Sequence, residues 1–128
     1  MTFSMKLELI PIPVTDIDRA KTFYADNVGF NVDHDVTPAN GVRIVQLTPP
    51  GSACSIVLGK GVGEFDIMQP GAVRGLHLVV DDIAVARETL LARGVGMGAI
   101  DDMGGIKYSA FSDPDGNTWT LQEITQRS

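Results

Sequence analysis

The stretch FSDPDGNTW, residues 111–119, decides between two kinds of fold. Its clustered aspartates, glycine and asparagine resemble the start of a helix-flanked calcium loop, which needs glycine at the sixth position and glutamate at the twelfth. Counted from Asp113, those positions hold Thr118 and Ile124, and Gly116 comes two residues early. The flanking segments IKYSAFS and TWTLQEI have the composition of strands. The stretch therefore predicts a tight turn between two strands, with its proline and glycine supplying the backbone angles.

The chain also contains an internal repeat. The segment VTDIDRAKTFYADNVG, which begins at Val14, aligns with VDDIAVARETLLARG, which begins 66 residues later at Val80. The aligned positions share a valine, an aspartate, an isoleucine, an alanine and a basic residue, and each copy ends near a glycine. An apolar, strand-like segment precedes each copy, LELIPIPV in the first and LHLVV in the second. The agreement indicates two copies of one structural unit.

Each copy carries the signals of an amphipathic helix. Asp16 and Asp82 stand where an N-cap carboxylate accepts hydrogen bonds from free backbone N–H groups. Apolar residues then recur at helical spacing, and Gly29 and Gly94 follow where a left-handed C-terminal cap is needed. Three strand-like segments follow each helix. The sequence therefore predicts an α+β fold made of two tandem βαβββ modules.

These modules are expected to form a single domain over residues 1–128. Module one is predicted at about 5–59, a crossover at about 60–73 and module two at about 74–124. The crossover begins with GKGVGEF, whose alternating glycines and lack of a following helix pattern predict a loop and no phosphate-binding site.

The composition excludes several classes of function. The chain has 128 residues, of which 44% are hydrophobic and 20% charged, as in ordinary globular domains. Its net charge is -6 and its basic residues are scattered, which argues against a nucleic-acid partner. We also expect no membrane helix and no signal peptide, because no long apolar run is present. Cys54 is the single cysteine, which suits a reducing, cytoplasmic environment.

Three stretches together carry a family resemblance: VTDIDRAKTFYADNVGF, GLHLVVDDIAVARETLLARGV and FSDPDGNTWTLQEI. They resemble the glyoxalase, bleomycin-resistance and extradiol-dioxygenase superfamily, also called the vicinal oxygen chelate (VOC) fold, over most of the chain. The resemblance implies a curled mixed sheet around a cavity, often completed by pairing two chains, so a homodimer is expected. QLTPPGSACSIVLG is most similar to small bacterial glyoxalase-like members.

The resemblance also implies where metal-dependent members hold a divalent ion. Carried over by position, the four ligand sites fall on Leu9, Val57, Gly75 and Thr120. Three of these offer no side-chain donor, and a threonine hydroxyl is a poor ligand for Zn, Ni, Fe or Mn. We therefore expect no metal at this site and no cofactor. The lack of metal ligands argues against glyoxalase I activity and against ring-cleaving dioxygenase activity.

Strand alternation predicts which side chains face the cavity and contact a ligand. His77 and Gln122 each lie one pleat beyond a lost ligand position, Ser55 accompanies them, and Tyr108 and Gln46 are further candidates. The predicted ligand-binding set comprises Leu9, Ser55, Val57, His77, Val79, Tyr108, Thr120 and Gln122.

The expected function is that of a small-molecule-binding protein with an apolar, metal-free cavity, which sequesters an antibiotic or another small organic compound. The alternative is a lyase, isomerase or dioxygenase-type enzyme. It would work without metal, with His77 as the acid/base group, or through a rearranged metal site at His77 and Gln122. A third possibility is a domain that has lost its ancestral site and is kept for interactions. The residues leave these alternatives open.

Overall fold

The computed structural model describes residues 3–124, and the element order along them is that of two modules. The first module comprises β1 (Leu9–Pro11), α1 (Ile17–Thr22, continued as π-helix over Phe23–Val28), β2 (Asn31–Ala39), β3 (Val42–Thr48) and β4 (Ser55–Lys60). A short helix, α2 (Gly63–Ile67), follows in the crossover. The second module comprises β5 (Leu76–Val79), α3 (Ile83–Ala92), β6 (Asp101–Asp102), β7 (Ile106–Ser112) and β8 (Thr118–Ile124).

Each module forms its own four-stranded mixed sheet, and the two sheets have the same topology. The strand orders are β1-β4-β3-β2 and β5-β8-β7-β6, with the first strand of each module parallel to the fourth and the other pairs antiparallel. The predicted α+β fold of two βαβββ modules is confirmed. Among residues 3–124 no strand pairing joins the two sheets, so they do not form the single curled sheet that we expected.

The helix boundaries follow the predicted signals. Asp16 and Asp82 cap α1 and α3, and each carboxylate accepts the backbone N–H three residues on, at 3.1 and 3.2 Å. Gly29 and Gly94 follow the helices with φ of 102° and 87°, a left-handed conformation that residues with a Cβ adopt at a steric cost. The matched caps support the internal repeat as a structural unit.

The core lies between the two helices and one face of each sheet. On β4, Ile56 and Leu58 point into it, and on β8 Trp119 and Leu121 do so. The buried apolar cluster consists of Ile12, Ala20, Tyr24, Phe30, Val45, Leu47, Ile56, Leu58, Ile83, Leu90, Val95, Phe111, Trp119 and Leu121. This cluster includes residues of both modules.

The crossover corrects one expectation. We predicted a loop through GKGVGEF, and the structure has the five-residue helix α2 there. The Phe65 ring of this helix lies directly over Gly59, where any Cβ would overlap the ring. The pattern was missed because the helix is too short for a helical period to show. No helix within residues 3–124 is long and apolar enough to cross a membrane.

The stretch at residues 111–119 is a turn, as predicted. The Gly116 N–H donates to the Asp113 carbonyl at 3.0 Å and closes it between β7 and β8. Asp113 is nevertheless 95% buried, since only 5% of its surface is exposed. Its Oδ1 accepts the N–H groups of Asp115 and Asn117 at 3.0 and 2.9 Å. The acidic residues that suggested a metal loop are used to fix the turn.

Candidate functional site

The predicted ligand-binding residues lie on the faces of the two sheets that point away from the core, which we call the helix-free face because α1 and α3 pack on the opposite side. The short helix α2 touches this face in the first sheet, where the Phe65 ring lies over Gly59. Ile56 and Leu58 belong to the core, so Ser55 and Val57 point to the opposite side of β4. Leu9 pairs with Ser55 in the neighbouring strand and shares that side. In the second sheet, the same alternation places His77, Val79, Tyr108, Thr120 and Gln122 on the helix-free face.

The second sheet brings four of the predicted polar residues together. His77 on β5 lies beside Thr120 on β8, and Tyr108 on β7 lies beside Gln122 on β8. The rings of His77 and Tyr108 meet edge to face, with centroids 6.0 Å apart. Val79 pairs with Gln122 at the end of the group. This arrangement offers an imidazole, a phenol, an amide and a hydroxyl around one patch of sheet.

The first sheet contains a second polar group, part of which the sequence did not predict. Thr48 donates a hydrogen bond to the Asp33 carboxylate, and the Thr48 and Ser55 hydroxyl oxygens are 2.6 Å apart. A carboxylate only accepts, so the Thr48 proton is committed to Asp33 and Ser55 donates to Thr48. The hydrogen bond from Thr48 lowers the pKa of Asp33. Strand alternation predicted Ser55, but no sequence signal linked it to residues in β2 and β3.

Exposure differs between the two sheets. Val57 and Ser55 are buried, whereas Leu9 is 39% exposed and Val79 is 59% exposed. Val79 also lines a cleft of about 250 Å³ beside α3. Leu9, Ser55 and Val57 lie on the helix-free face of the first sheet, and the other five predicted residues lie on that of the second.

The hydrogen bond of His77 defines its tautomer. Its Nδ1 lies 2.6 Å from the Gly75 carbonyl oxygen, which only accepts, so Nδ1 carries the proton. In the neutral ring, Nε2 then holds a lone pair. Because His77 is exposed, that nitrogen can accept a hydrogen bond, or a proton, from a molecule on the helix-free face.

The four positions that would hold the family's metal ion do not fit one. Leu9 and Val57 lie on neighbouring strands of the first sheet, and Thr120 lies on β8 of the second, each on the side away from the core. Gly75 precedes β5 with φ of 71°, so a residue with a coordinating side chain would be strained there. Two aliphatic chains, a glycine and a hydroxyl lack the imidazole or carboxylate donors that such ions need. Within residues 3–124 there is no group of three or more His, Cys, Asp or Glu residues able to hold a metal ion.

A cleft of about 650 Å³ lies between the start of α1, the β2–β3 hairpin and α2. None of the predicted ligand-binding residues lines it. Its prominent cation is Arg43, which pairs with Asp18 at 2.7 Å and with Asp35 at 3.0 Å. Asp35 also pairs with Lys21 at 2.7 Å, and hydrogen bonds from Arg43 and then Lys21 lower its pKa to about 2. The arginine charge is thus neutralised within the fold. No sequence pattern predicts this network, because its members come from three elements.

The sequence and the fold are similar to those of known proteins. A sequence model described as "Glyoxalase/Bleomycin resistance protein/Dioxygenase superfamily" matches residues 6–121. No curated protein matches the chain. Solved structures do. The antibiotic-binding protein TnmS3 from Streptomyces sp. CB03234 is 36% identical, with a TM-score of 0.83 over 97% of this chain and 98% of that one.

Two further solved structures are similar over nearly their whole length. A glyoxalase/bleomycin resistance protein, also from Streptomyces sp. CB03234, is 37% identical with a TM-score of 0.76, covering 91% of this chain and 98% of that one. A member of the glyoxalase/bleomycin resistance protein/dioxygenase superfamily from Sphaerobacter thermophilus DSM 20745 is 33% identical with a TM-score of 0.81. It covers 94% of this chain and 98% of its own.

Proposed function

Because the chain belongs to the glyoxalase/bleomycin resistance protein/dioxygenase superfamily, we propose that it is a small-molecule-binding protein that works without a metal ion. Its ligand is an antibiotic or another small organic compound, and it binds on the helix-free face. The observation that carries the proposal is the character of that face: the exposed Val79 lies beside His77, Tyr108 and Gln122, and the metal positions hold no suitable donors.

The chemistry of the face suits a largely apolar ligand with a few polar atoms. Val79 and Leu9 offer apolar surface that is exposed in a single chain and gains free energy when a ligand covers it. His77 Nε2, the Tyr108 phenol and the Gln122 amide can orient the ligand through hydrogen bonds. This combination of apolar surface and few convergent polar groups is typical of small-molecule sites.

The similarity to TnmS3 supports the ligand class. That protein is antibiotic-binding, and the present chain is 36% identical to it over almost its full length. Sequestration needs only affinity and no reacting group, which is consistent with the lack of metal donors on this face. The proposal therefore assigns binding, and not turnover, to the site.

We further propose that a second copy of the chain completes the site. Phe3, Met5 and Leu7 alternate with polar residues along the segment before β1, and each is at least 69% exposed. Pairing of β1 with β4 begins only at Leu9, so no strand among residues 3–124 pairs with this apolar row. A second copy that covers the row and the exposed Val79 would turn an open face into an enclosed pocket.

A thermal-shift screen of an antibiotic library in the presence of EDTA tests the proposal. A compound that binds the folded state raises the melting temperature of the wild type. The Val79→Arg variant should lose that stabilisation, because a charge then stands in the ligand's place. The matched control is Val85→Arg: Val85 is similarly exposed, at 61% against 59%, but lies on α3 away from the face. Equal stabilisation of the wild type and the Val79→Arg variant would contradict the proposal.

A second candidate function is supported by the His77 tautomer. An exposed Nε2 lone pair held in place through Nδ1 is the arrangement of a general base. The protein would then be a metal-independent enzyme of the lyase or isomerase kind, or a dioxygenase-type relative. In that case His77→Gln should keep ligand affinity but abolish turnover. The turnover rate of the wild type should rise with increasing pH, with the profile of a single ionising group. If the wild type shows no measurable turnover and His77→Gln loses ligand affinity, His77 serves binding and the enzyme function is ruled out.

A further inference from the structure

The two helices contact each other through equivalent residues of the repeat. Asn27 Nδ2 donates to the Arg93 carbonyl at 2.7 Å, and Arg93 Nη1 donates to the Val28 carbonyl at 3.2 Å. Asn27 and Arg93 are 66 residues apart, which is the offset of the repeat. The pair therefore marks an approximate two-fold axis between the modules, and features of one module can be compared with their counterparts in the other.

In the first module, the groove beside α1 is filled by the turn that joins the third and fourth strands of the second module. The Tyr24 phenol on α1 donates to Asp113 at 2.7 Å. The Thr15 hydroxyl, just before α1, donates to Asp115 at 2.7 Å. Two carboxylates of one turn thus bind the residue before the helix and the middle of the helix.

The equivalent groove beside α3 is not filled. The corresponding turn of the first module begins with Pro49 and Pro50, which bring no side-chain hydrogen-bonding group. At the position of Tyr24, α3 has the shorter Leu90, and at the position of Phe23 it has Thr89. The result is a cleft of about 250 Å³ between α3, the end of β5 and this turn. Its walls are mainly apolar and include Phe30, Pro49, Pro50, Leu78 and Leu90.

One cation stands in this cleft. Arg93 lines it and is exposed, and its guanidinium donates to a neutral carbonyl, that of Val28. Among residues 3–124, Arg93 forms no ion pair with a carboxylate, although the protein carries a net charge of -6. Arginine binds carboxylates through paired, charge-assisted hydrogen bonds. An anionic group of a ligand would supply the partner that the fold leaves out.

We propose that this cleft is a second binding site, separate from the helix-free face, for a small aromatic carboxylate. The ring system lies between Leu90 and the Pro49–Pro50 turn, and the carboxylate pairs with Arg93. The cleft volume is just below the roughly 300 Å³ at which sites for drug-sized ligands begin, so the ligand is a small acid. Val79 borders both sites, which places the acid next to a ligand on the helix-free face.

The test uses 2-naphthoate and its neutral analogue 2-naphthalenemethanol, titrated into ¹⁵N-labelled full-length protein and followed by NMR. Naphthoate should shift the amide signals of Thr89, Leu90 and Arg93, and should bind roughly tenfold or more tightly than the neutral analogue. Arg93→Gln should remove that preference. The matched control is Arg74→Gln: Arg74 also donates to a backbone carbonyl, that of Gly116 at 3.0 Å, but lies outside the cleft.

A filling substitution gives an independent test. Thr89→Phe introduces the residue that the first helix has at the equivalent position, Phe23, and should abolish naphthoate binding without lowering the melting temperature. Val85→Phe, one turn away on α3 and outside the cleft, should leave binding unchanged. The inference is overturned if naphthoate binds Arg93→Gln or Thr89→Phe as tightly as the wild type. It is also overturned if the shifted signals belong to His77 and Gln122. Ligands of the helix-free face should bind Thr89→Phe normally, so the two sites can fail separately.

Discussion

The phenol of Tyr24 donates a 2.7 Å hydrogen bond to Oδ2 of Asp113, which lies 89 residues later in the chain. The Trp119 indole N–H donates in turn to the Tyr24 oxygen at 2.9 Å. Asn117 adds a hydrogen bond to the same Asp113 oxygen at 2.8 Å and another to the Pro13 carbonyl at 2.9 Å. These buried bonds join the helix of the first module to the last turn and strand of the second. The turn therefore couples the two modules as well as reversing the chain.

Replacing Tyr24 with phenylalanine should destabilise the protein by about 1–3 kcal/mol. The change leaves the buried Trp119 N–H without an acceptor and removes one donor from Asp113, while the ring packing is preserved. The free energy of unfolding in urea measures the effect. Tyr108→Phe is the matched control, because Tyr108 lies on the helix-free face, and its cost should stay below about 0.5 kcal/mol. Equal costs for the two variants would mean that the buried network adds no stability.

The same hydrogen bond predicts a loss of stability at alkaline pH. Burial, and next the negative charge of Asp113, raise the pKa of Tyr24 well above its usual value. The folded state therefore keeps this proton where an unfolded tyrosine, with a pKa of about 10, releases it. The stabilisation is complete below about pH 10 and is lost as the pH rises further. Melting temperatures measured from pH 8 to 11 should fall less steeply for Tyr24→Phe than for the wild type, and parallel curves would contradict the assignment.

At acid pH, protonation of the Asp35 carboxylate should lower the stability of the protein. Hydrogen bonds from Arg43 and Lys21 lower its pKa to about 2, below the value near 4 of an unfolded aspartate. Its contribution is therefore complete above about pH 4 and disappears as the pH falls toward 2. Asp35→Asn should cost roughly 1 kcal/mol at neutral pH, the upper end for partly exposed pairs. This variant should also flatten the fall in stability between pH 4 and 2.

Asp18→Asn is the control for that measurement. Asp18 pairs with the same Arg43, but its side chain is 79% exposed. Its replacement should leave the acid part of the stability profile close to that of the wild type. The two variants should not change the slope of stability against pH between pH 4 and 2 by the same amount. An equal change would mean that the acid dependence comes from all the ion pairs of Arg43 and not from Asp35 alone.

The proposed pairing of two copies can be tested by the mass of the protein in solution. Light scattering after size-exclusion chromatography should give the mass of two chains for the wild type. Met5→Lys, which places a charge in the apolar row before β1, should shift the equilibrium toward the monomer. Ser4→Lys places the same charge on the polar side of that segment and should leave the dimer intact. A monomeric wild type at tens of micromolar protein would refute the role given to Phe3, Met5 and Leu7.

The sequence was most informative where a local signal sets the backbone. Asp16 and Asp82 were predicted as caps and Gly29 and Gly94 as left-handed residues, because each role depends on neighbours within a few positions. Strand alternation likewise predicted the side of the sheet for Ser55 and Val57. Such positions define both the repeat and the fold class.

Contacts between distant elements were not predictable in the same way. Asp113 was correctly assigned to a turn, but its burial against Tyr24 depends on how two modules pack. The link between Ser55, Thr48 and Asp33 depends on strand register and a bulge in β2. Closure of a cavity around Leu9 and Val79 was expected from the family resemblance alone. Among residues 3–124, Val79 stays 59% exposed and Leu9 39% exposed, so the sequence pattern predicted their side of the sheet but not how far they are covered.

The most direct test of the central proposal, metal-independent binding on the helix-free face, is a calorimetric titration. The compound that stabilises the wild type most would be titrated into untagged protein, once in EDTA and once after incubation with Ni, Zn, Mn or Fe(II). Elemental analysis of the dialysed protein would accompany each titration. The account predicts no stoichiometric retained ion and dissociation constants that agree within about twofold. An ion that survives dialysis at one per chain, together with binding that disappears in EDTA, would contradict it.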